Sequence, residues 1–251
     1  MNVQLLDRIS VTEISTAQSC ELKLYYRRTE PKPDKISPYL FMGSVFHEVL
    51  AFYFEELANE ELHWNSVIAC LHRHFNAQKA NVDFGKISET ECFERTKNYL
   101  SLYYTQRCPF LRPLYIEKYL QICIKSGEQS IDISGKIDLV TTAFVAIDHK
   151  TAKNGWTQAE ADCELQAQFY PVLCQNNGIP VTSFEFGVVS AKNFNVYPVT
   201  FSAQKFNETV AYVFTLQRHW AEGNLLKAKN RRNCNWCEYK EKCENNICER
   251  T

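Results

Sequence analysis

Residues 133–151 read ISGKIDLVTTAFVAIDHKT, and where the charges sit in this β-branched, apolar stretch decides the reading of the whole chain. Alternation at period two predicts two strands, over 129–142 and 143–149, that pair as a hairpin. Asp138 near the end of the first strand and Asp148 on the second then point to one face. Lys150, two residues after Asp148, returns to that face, whereas His149 points the other way and reads as structural. Two carboxylates and an ammonium gathered at one spot are costly in an apolar core. The same set suits a hard divalent cation, because carboxylate oxygens bind Mg2+ or Mn2+ and a bound water becomes a better nucleophile. Lys150 can orient that water or stabilise charge growing on a phosphate.

Working outward, the first third of the chain reads as helical. Ser10 followed by Glu13 is a capping-box pattern that opens a helix over 10–26. A polar, proline-rich loop spans 29–38, and helices are expected over 42–62, 64–79 and 88–106. After Arg107 the texture changes to strands, over 114–124, 129–142, 143–149, 181–190 and 194–201, with helices at 157–176 and 203–222. The sequence contains no internal repeat and no low-complexity linker. The economical reading is one α/β domain over residues 1–251, with a mainly helical part at 1–110, a core at 111–222 and a basic, cysteine-rich tail at 223–251.

Composition narrows the class. With 251 residues, 45% hydrophobic and 13% aromatic, the chain can bury a real core, so disorder is not expected. Eleven cysteines are too sparse for a disulfide scaffold, and their number is odd. The opening residues MNVQLLDRIS lack an apolar core or a cleavage site, and no run approaches the length of a spanning helix. The expected setting is therefore a reducing cytoplasm, where thiols serve as buried small residues, metal ligands or nucleophiles. Formal net charge is −1, which predicts no strong global field but does not exclude nucleic acid. An acidic metal site and a basic groove can cancel. Basic residues cluster at Lys23, Arg27, Arg28, Lys32 and Lys35, and again at Lys227, Lys229, Arg231 and Arg232.

The ordered series carries more weight than any one motif. A helix with Gly43-x-x-x-His47 precedes a strand with Glu117, then Gly135-x-x-Asp138, then Asp148-x-Lys150, then a helix with Gln166-x-x-x-Tyr170. This series resembles the RecB-type branch of the PD-(D/E)XK nuclease superfamily over most of the chain. The resemblance implies a restriction-endonuclease-like core, a mixed central sheet flanked by helices, with an N-terminal helical insertion. It implies that His47, Asp138, Asp148 and the main-chain carbonyl of His149 are metal ligands and that Lys150 is the catalytic lysine. It also implies that Gln166 and Tyr170 line the DNA side of the site, with Glu117 as a supporting acid.

The tail contains Cys234-x-x-Cys237-x5-Cys243, followed by Cys248. Thiolates this close can share one metal. Zinc on Cys234, Cys237, Cys243 and Cys248, an iron–sulfur cluster with a fourth ligand from elsewhere, and unliganded thiols all fit the spacing. The segment Ser19-Cys20-Glu21-Leu22-Lys23-Leu24-Tyr25-Tyr26 is similar to the N-terminal helix of AddB-type and CRISPR-associated nucleases. That resemblance implies a [4Fe-4S] cluster on Cys20, Cys234, Cys237 and Cys243, forming a cysteine-ligated C-terminal cap. Those families commonly carry Pro after the first cysteine, where this chain has Glu21. Cysteines 70, 92, 108, 123, 163 and 174 are expected to be buried small residues.

These readings converge on a Mg2+- or Mn2+-dependent deoxyribonuclease. The resemblance implies exonuclease action on single-stranded DNA or DNA ends in recombination, repair or phage DNA processing. No G-x-x-x-x-G-K-[ST] phosphate loop is present, so unwinding would fall to a partner such as a helicase or recombination protein. The competing expectations are a non-catalytic nucleic-acid-binding or adaptor protein that keeps the fold, and a zinc-binding interaction protein.

Overall fold

The structure, a computed structural model, describes residues 6–31, 34–57, 63–228, 234–235 and 237–245. Lys32, Lys229, Arg231, Arg232 and Cys248 lie outside them. The chain forms two compact units, one of residues 1–33, 121–135 and 202–251, the other of residues 34–120 and 136–201.

In the first unit, strand β1 (Arg8–Ser10) pairs in parallel with the start of β3 (Gln129–Thr141), Ile9 opposite Ile133. Ser10 then caps helix α1 (Val11–Ser19): its hydroxyl accepts from Glu13 N at 3.2 Å, and Glu13 Oε2 accepts from Ser10 N at 2.8 Å. Such a box contributes about 1 kcal/mol. The helix expected over 10–26 is in fact two. Cys20 is extended (φ −168°, ψ 110°), ends α1 and starts α2 (Glu21–Thr29). The cause is tertiary: Glu21 N donates to Leu226 O at 3.0 Å, so the ladder that would continue α1 is replaced by a bond to the distant tail. Helix α8 (Ala203–Glu222) ends at Gly223, whose left-handed φ of 70° suits a residue without a Cβ. A short helix α9 (Lys240–Asn245) lies in the tail.

The second unit holds the helices α3 (Pro38–Leu57), α4 (Trp64–Gln78) and α5 (Glu89–Gln106), whose apolar faces share a core with Phe41, Phe46, Leu71, Phe75 and Tyr103. Strand β2 (Pro113–Ser126) runs into β3 by a hairpin at Gly127. The end of β3 pairs antiparallel with β4 (Val145–Thr151), β4 parallel with β5 (Ser183–Val189), and β5 antiparallel with β6 (Phe194–Val199). This mixed sheet is covered on both faces, which the alternation along β5 makes explicit. Phe184 meets Tyr170 of helix α7 (Gln166–Asn176), while Glu185 pairs with Arg107 beyond α5 and Gly187 lies beneath Tyr103 of α5. Near-continuous burial of β4 follows from that double covering.

Two further expectations are corrected. The helix over 157–176 splits into α6 (Gln158–Cys163), capped by a Thr157–Glu160 box, and α7, because Glu164 turns extended (φ −71°, ψ 130°) between them. Cys123 and Cys163 are exposed, unlike the buried Cys70, Cys92, Cys108 and Cys174. Cys123 falls on an outward position of β2, most of which faces solvent, and Cys163 ends the one-and-a-half-turn α6.

Candidate functional site

The second unit gathers most of the residues singled out above. Helix α3 is apolar on most sides and buries Val45, Phe46, Val49 and Leu50 around His47. Gly43, one turn earlier, lies where α3 approaches the end of β4: a Cβ there would touch Thr151 Oγ1 at 3.4 Å. Leu139 and Ile147 are register partners in the antiparallel pair, and beside them, one residue before Leu139 and one after Ile147, stand the buried Asp138 and Asp148. Asp138 Oδ1 lies 3.3 Å from His47 Nδ1, and its Oδ2 accepts from His149 N at 2.7 Å. Asp148 Oδ2 is 2.6 Å from Lys150 Nζ, and the ammonium also sits 5.8 Å from the centre of the Phe186 ring.

Glu117 comes fully into the site. It has a left-handed φ of 48° inside β2, a conformation that a non-glycine residue adopts at a cost and that bends a strand locally. Its carboxylate pairs with Lys136, and the ligand atoms of His47, Glu117 and Asp138 all lie within 4.8 Å of one another. One imidazole and two carboxylates, in a cleft of about 650 Å3, form a donor set that fits a hard divalent cation. Asp148 stands beside this trio, its oxygen held by Lys150.

Electrostatics separate the two aspartates. Burial opposes charge on Asp138, but His47, then His149 and Lys150, hold its carboxyl well below the usual range. Burial pushes Asp148 upward, and the neighbouring Asp138 charge adds to this against the pull of Lys150. Burial works against a proton on His47, yet Asp138 and Asp148 outweigh it and raise its pKa. Lys150 is likewise raised against burial by Asp148 and Asp138. His149 behaves as the alternation predicts. Its ring lies on the other face, stacked on Phe54 at 6.0 Å and sharing a 2.9 Å hydrogen bond with Tyr103, and burial pushes its pKa down to about 3. On α7, the Tyr170 hydroxyl donates to Lys136 O at 3.1 Å, and Gln166 hydrogen-bonds to Tyr170 one turn away.

Sequence reasoning missed Tyr103 and Gly187. Gly187 is the register partner of His149, and a Cβ there would meet Tyr103 Cε2 at 3.2 Å. A glycine inside the strand SFEFGVV was the available signal, since glycine there marks a close approach.

The first unit holds the cysteines expected to share a ligand. Cys20, Cys234, Cys237 and Cys243 are all partly buried, and the thiols of Cys20, Cys234 and Cys237 add to burial in raising Cys243. Each of these three cysteines is thus felt electrostatically at Cys243. Glu21 is buried and serves as a clasp. Its carboxylate accepts from Leu226 N at 2.9 Å, meets His219 Nδ1 at 2.9 Å and takes the Tyr212 hydroxyl at 3.3 Å. The N-terminal basic cluster is largely engaged: Lys23 and Arg27 pair with Glu238, and Arg28 with Glu13.

No described helix is long and apolar enough to cross a membrane. Comparison with solved structures finds a provisionally assigned exonuclease from Eubacterium rectale, with TM-score 0.61 and 12% identity over 94% of this chain and 87% of that one. The protein SSO0001 is less similar, with TM-score 0.40 and 13% identity over 91% and 92%. A search of curated protein sequences gives no match. The first of these likenesses concerns the fold alone. Membership follows from the sequence, which matches the PD-(D/E)XK nuclease superfamily over residues 8–244, so the chain belongs to that superfamily.

Proposed function

We propose that the chain is a divalent-metal-dependent deoxyribonuclease of the RecB-like branch, acting as an exonuclease on single-stranded DNA or DNA ends in recombination, repair or phage DNA processing. The observation that carries the reading is the convergence of His47, Glu117 and Asp138 within 4.8 Å in an open cleft. With Asp148 and, as the resemblance implies, the His149 carbonyl, these residues would hold Mg2+ or Mn2+, which when bound supplies Lewis-acid stabilisation of charge on the scissile phosphate. His149 N holds Asp138 in place, and His47 keeps it ionised. Lys150, anchored by Asp148 and kept protonated, is the cation that stabilises charge on the phosphate oxygens. Tyr170 and Gln166 form the DNA-side wall.

The cap on residues 223–251 would carry a [4Fe-4S] cluster on Cys20, Cys234, Cys237 and Cys243. The resemblance to cluster-bearing nucleases and the charge effect of Cys20, Cys234 and Cys237 on Cys243 support this ligand set, and Zn2+ is the alternative. Iron and sulfide analysis of anaerobically purified protein separates them, because the cluster form is brown and the zinc form colourless. Any unwinding of duplex falls to a partner, and the setting is cytoplasmic.

The experiment that tests the activity is digestion of end-labelled single- and double-stranded DNA, with either end blocked, in Mg2+ and in Mn2+. Asp148→Ala and Lys150→Ala should abolish cleavage. Full activity in either variant overturns the reading, and DNA binding without cleavage by the wild type favours the non-catalytic adaptor.

A further inference from the structure

The cleft does not end at the metal-ligating trio. It continues between α3 and α4, where its wall is formed by Glu48, Phe52, Arg73 and His74. Glu48 Oε2 lies 2.8 Å from His74 Nδ1 and accepts from Gln78 Nε2 at 2.6 Å. The carboxylate is thereby answered, and the imidazole is held by one nitrogen, its other edge uncommitted among the described residues. Arg73 rests over the Phe52 ring at 5.5 Å and donates to Cys70 Sγ at 3.5 Å. Among the described residues it has no carboxylate partner, unlike Lys79, Arg95, Arg107 and Lys136 in the same unit. A guanidinium fixed on an aromatic ring, beside an oriented imidazole, in the same cleft as a metal site, is suited to an anion in a chain whose next group occupies that site.

We infer that Arg73 and His74 form a phosphate subsite that binds the phosphodiester adjacent to the scissile one, holding the DNA strand so that the bond to be cut lies at His47, Glu117 and Asp138. This rests on the nuclease reading. Both residues act in binding and take no part in the chemistry.

The test uses single-stranded oligodeoxynucleotides in which the linkage next to the cut is either natural or an uncharged methylphosphonate. For the wild type the methylphosphonate should raise KM about tenfold with little change in kcat, the scale of one charge-assisted contact. Arg73→Ala should raise KM similarly on the natural strand and be indifferent to the methylphosphonate. Arg73→Lys should recover part of the loss, and Glu55→Ala, at the exposed rim of the cleft, should leave KM unchanged or lower. Equal methylphosphonate penalties in wild type and Arg73→Ala, or an unchanged KM for Arg73→Ala, overturn the subsite. Wild type that cuts neither strand refutes the nuclease reading instead. In that case binding in chelator by fluorescence anisotropy still reads the subsite: affinity that depends on the phosphate charge in wild type alone supports it, and dependence equal in the two proteins overturns it.

Discussion

The carboxylate site and the cysteine site both collect residues far apart in sequence, but they are held by different means. Asp138, Asp148 and Lys150 stand on paired, doubly covered strands, and their separation is set by register and by a ring of buried contacts through His149, Tyr103 and Gly187. Cys243 stands on the short helix α9 and Cys234 and Cys237 precede it, in a segment tied to α2 by hydrogen bonds between Glu21 and Leu226 and by ion pairs of Lys23 and Arg27 with Glu238. The first site is preorganised by the sheet, so a ligand finds its donors waiting. The second depends on a buried carboxylate clasp, and a metal or cluster held by the proposed thiol ligands would link its binding to folding there.

The largest effect should come from breaking the preorganised site. Asp138→Ala should lower cleavage by at least about 10^3-fold, the scale of losing a group that stabilises transition-state charge, and EDTA should do the same to the wild type. Glu117→Gln should weaken Mn2+ binding by about 10- to 100-fold by isothermal titration calorimetry. Unchanged Mn2+ affinity would show that the strained residue in β2 is not a ligand.

The clasp should come next. Glu21→Ala strands His219, Tyr212 and Leu226 N and should cost about 3 kcal/mol in chemical denaturation, the scale of breaking a buried pair. Glu21→Gln keeps the shape and should cost less. Equal stability of all three proteins would mean that the tail is held by something other than Glu21.

A smaller loss should follow from loosening the support behind the strands. Gly187→Ala pushes a Cβ against Tyr103 and should cost about 1–3 kcal/mol, whereas Tyr103→Phe removes only the hydrogen bond to His149 and should cost about 1 kcal/mol. If Tyr103→Phe proved the more damaging, the hydrogen bond rather than the packing would hold His149.

The smallest effect is one of pH. Burial raises the Glu13 carboxyl, but Arg28 and the Ser10 amide outweigh it and leave its pKa lowered. Its contribution to stability is therefore complete above the unfolded carboxylate value of about 4.3 and is lost as pH falls through the lower folded value. Urea midpoints compared between wild type and Glu13→Gln should differ by less than about 1 kcal/mol at neutral pH. The difference should vanish in acid.

Much was legible in the linear chain because it depends on near neighbours. The capping box at Ser10, the apolar face of α3, and the strand alternation that puts Asp138, Asp148 and Lys150 on one side and His149 on the other all rest on local spacing, and the order of motifs is read directly along the chain. The tertiary structure alone decided what distant residues do to each other. Cys20 breaks a helix because Leu226 offers a carbonyl, and Glu117 joins His47 and Asp138 because β2 turns left-handed at that residue. Gly187 is needed because Tyr103 crosses there, and Cys123 is exposed because β2 presents that side to water. Local pattern fixes which conformations are cheap, and only the packed chain determines which of them is compensated by a contact.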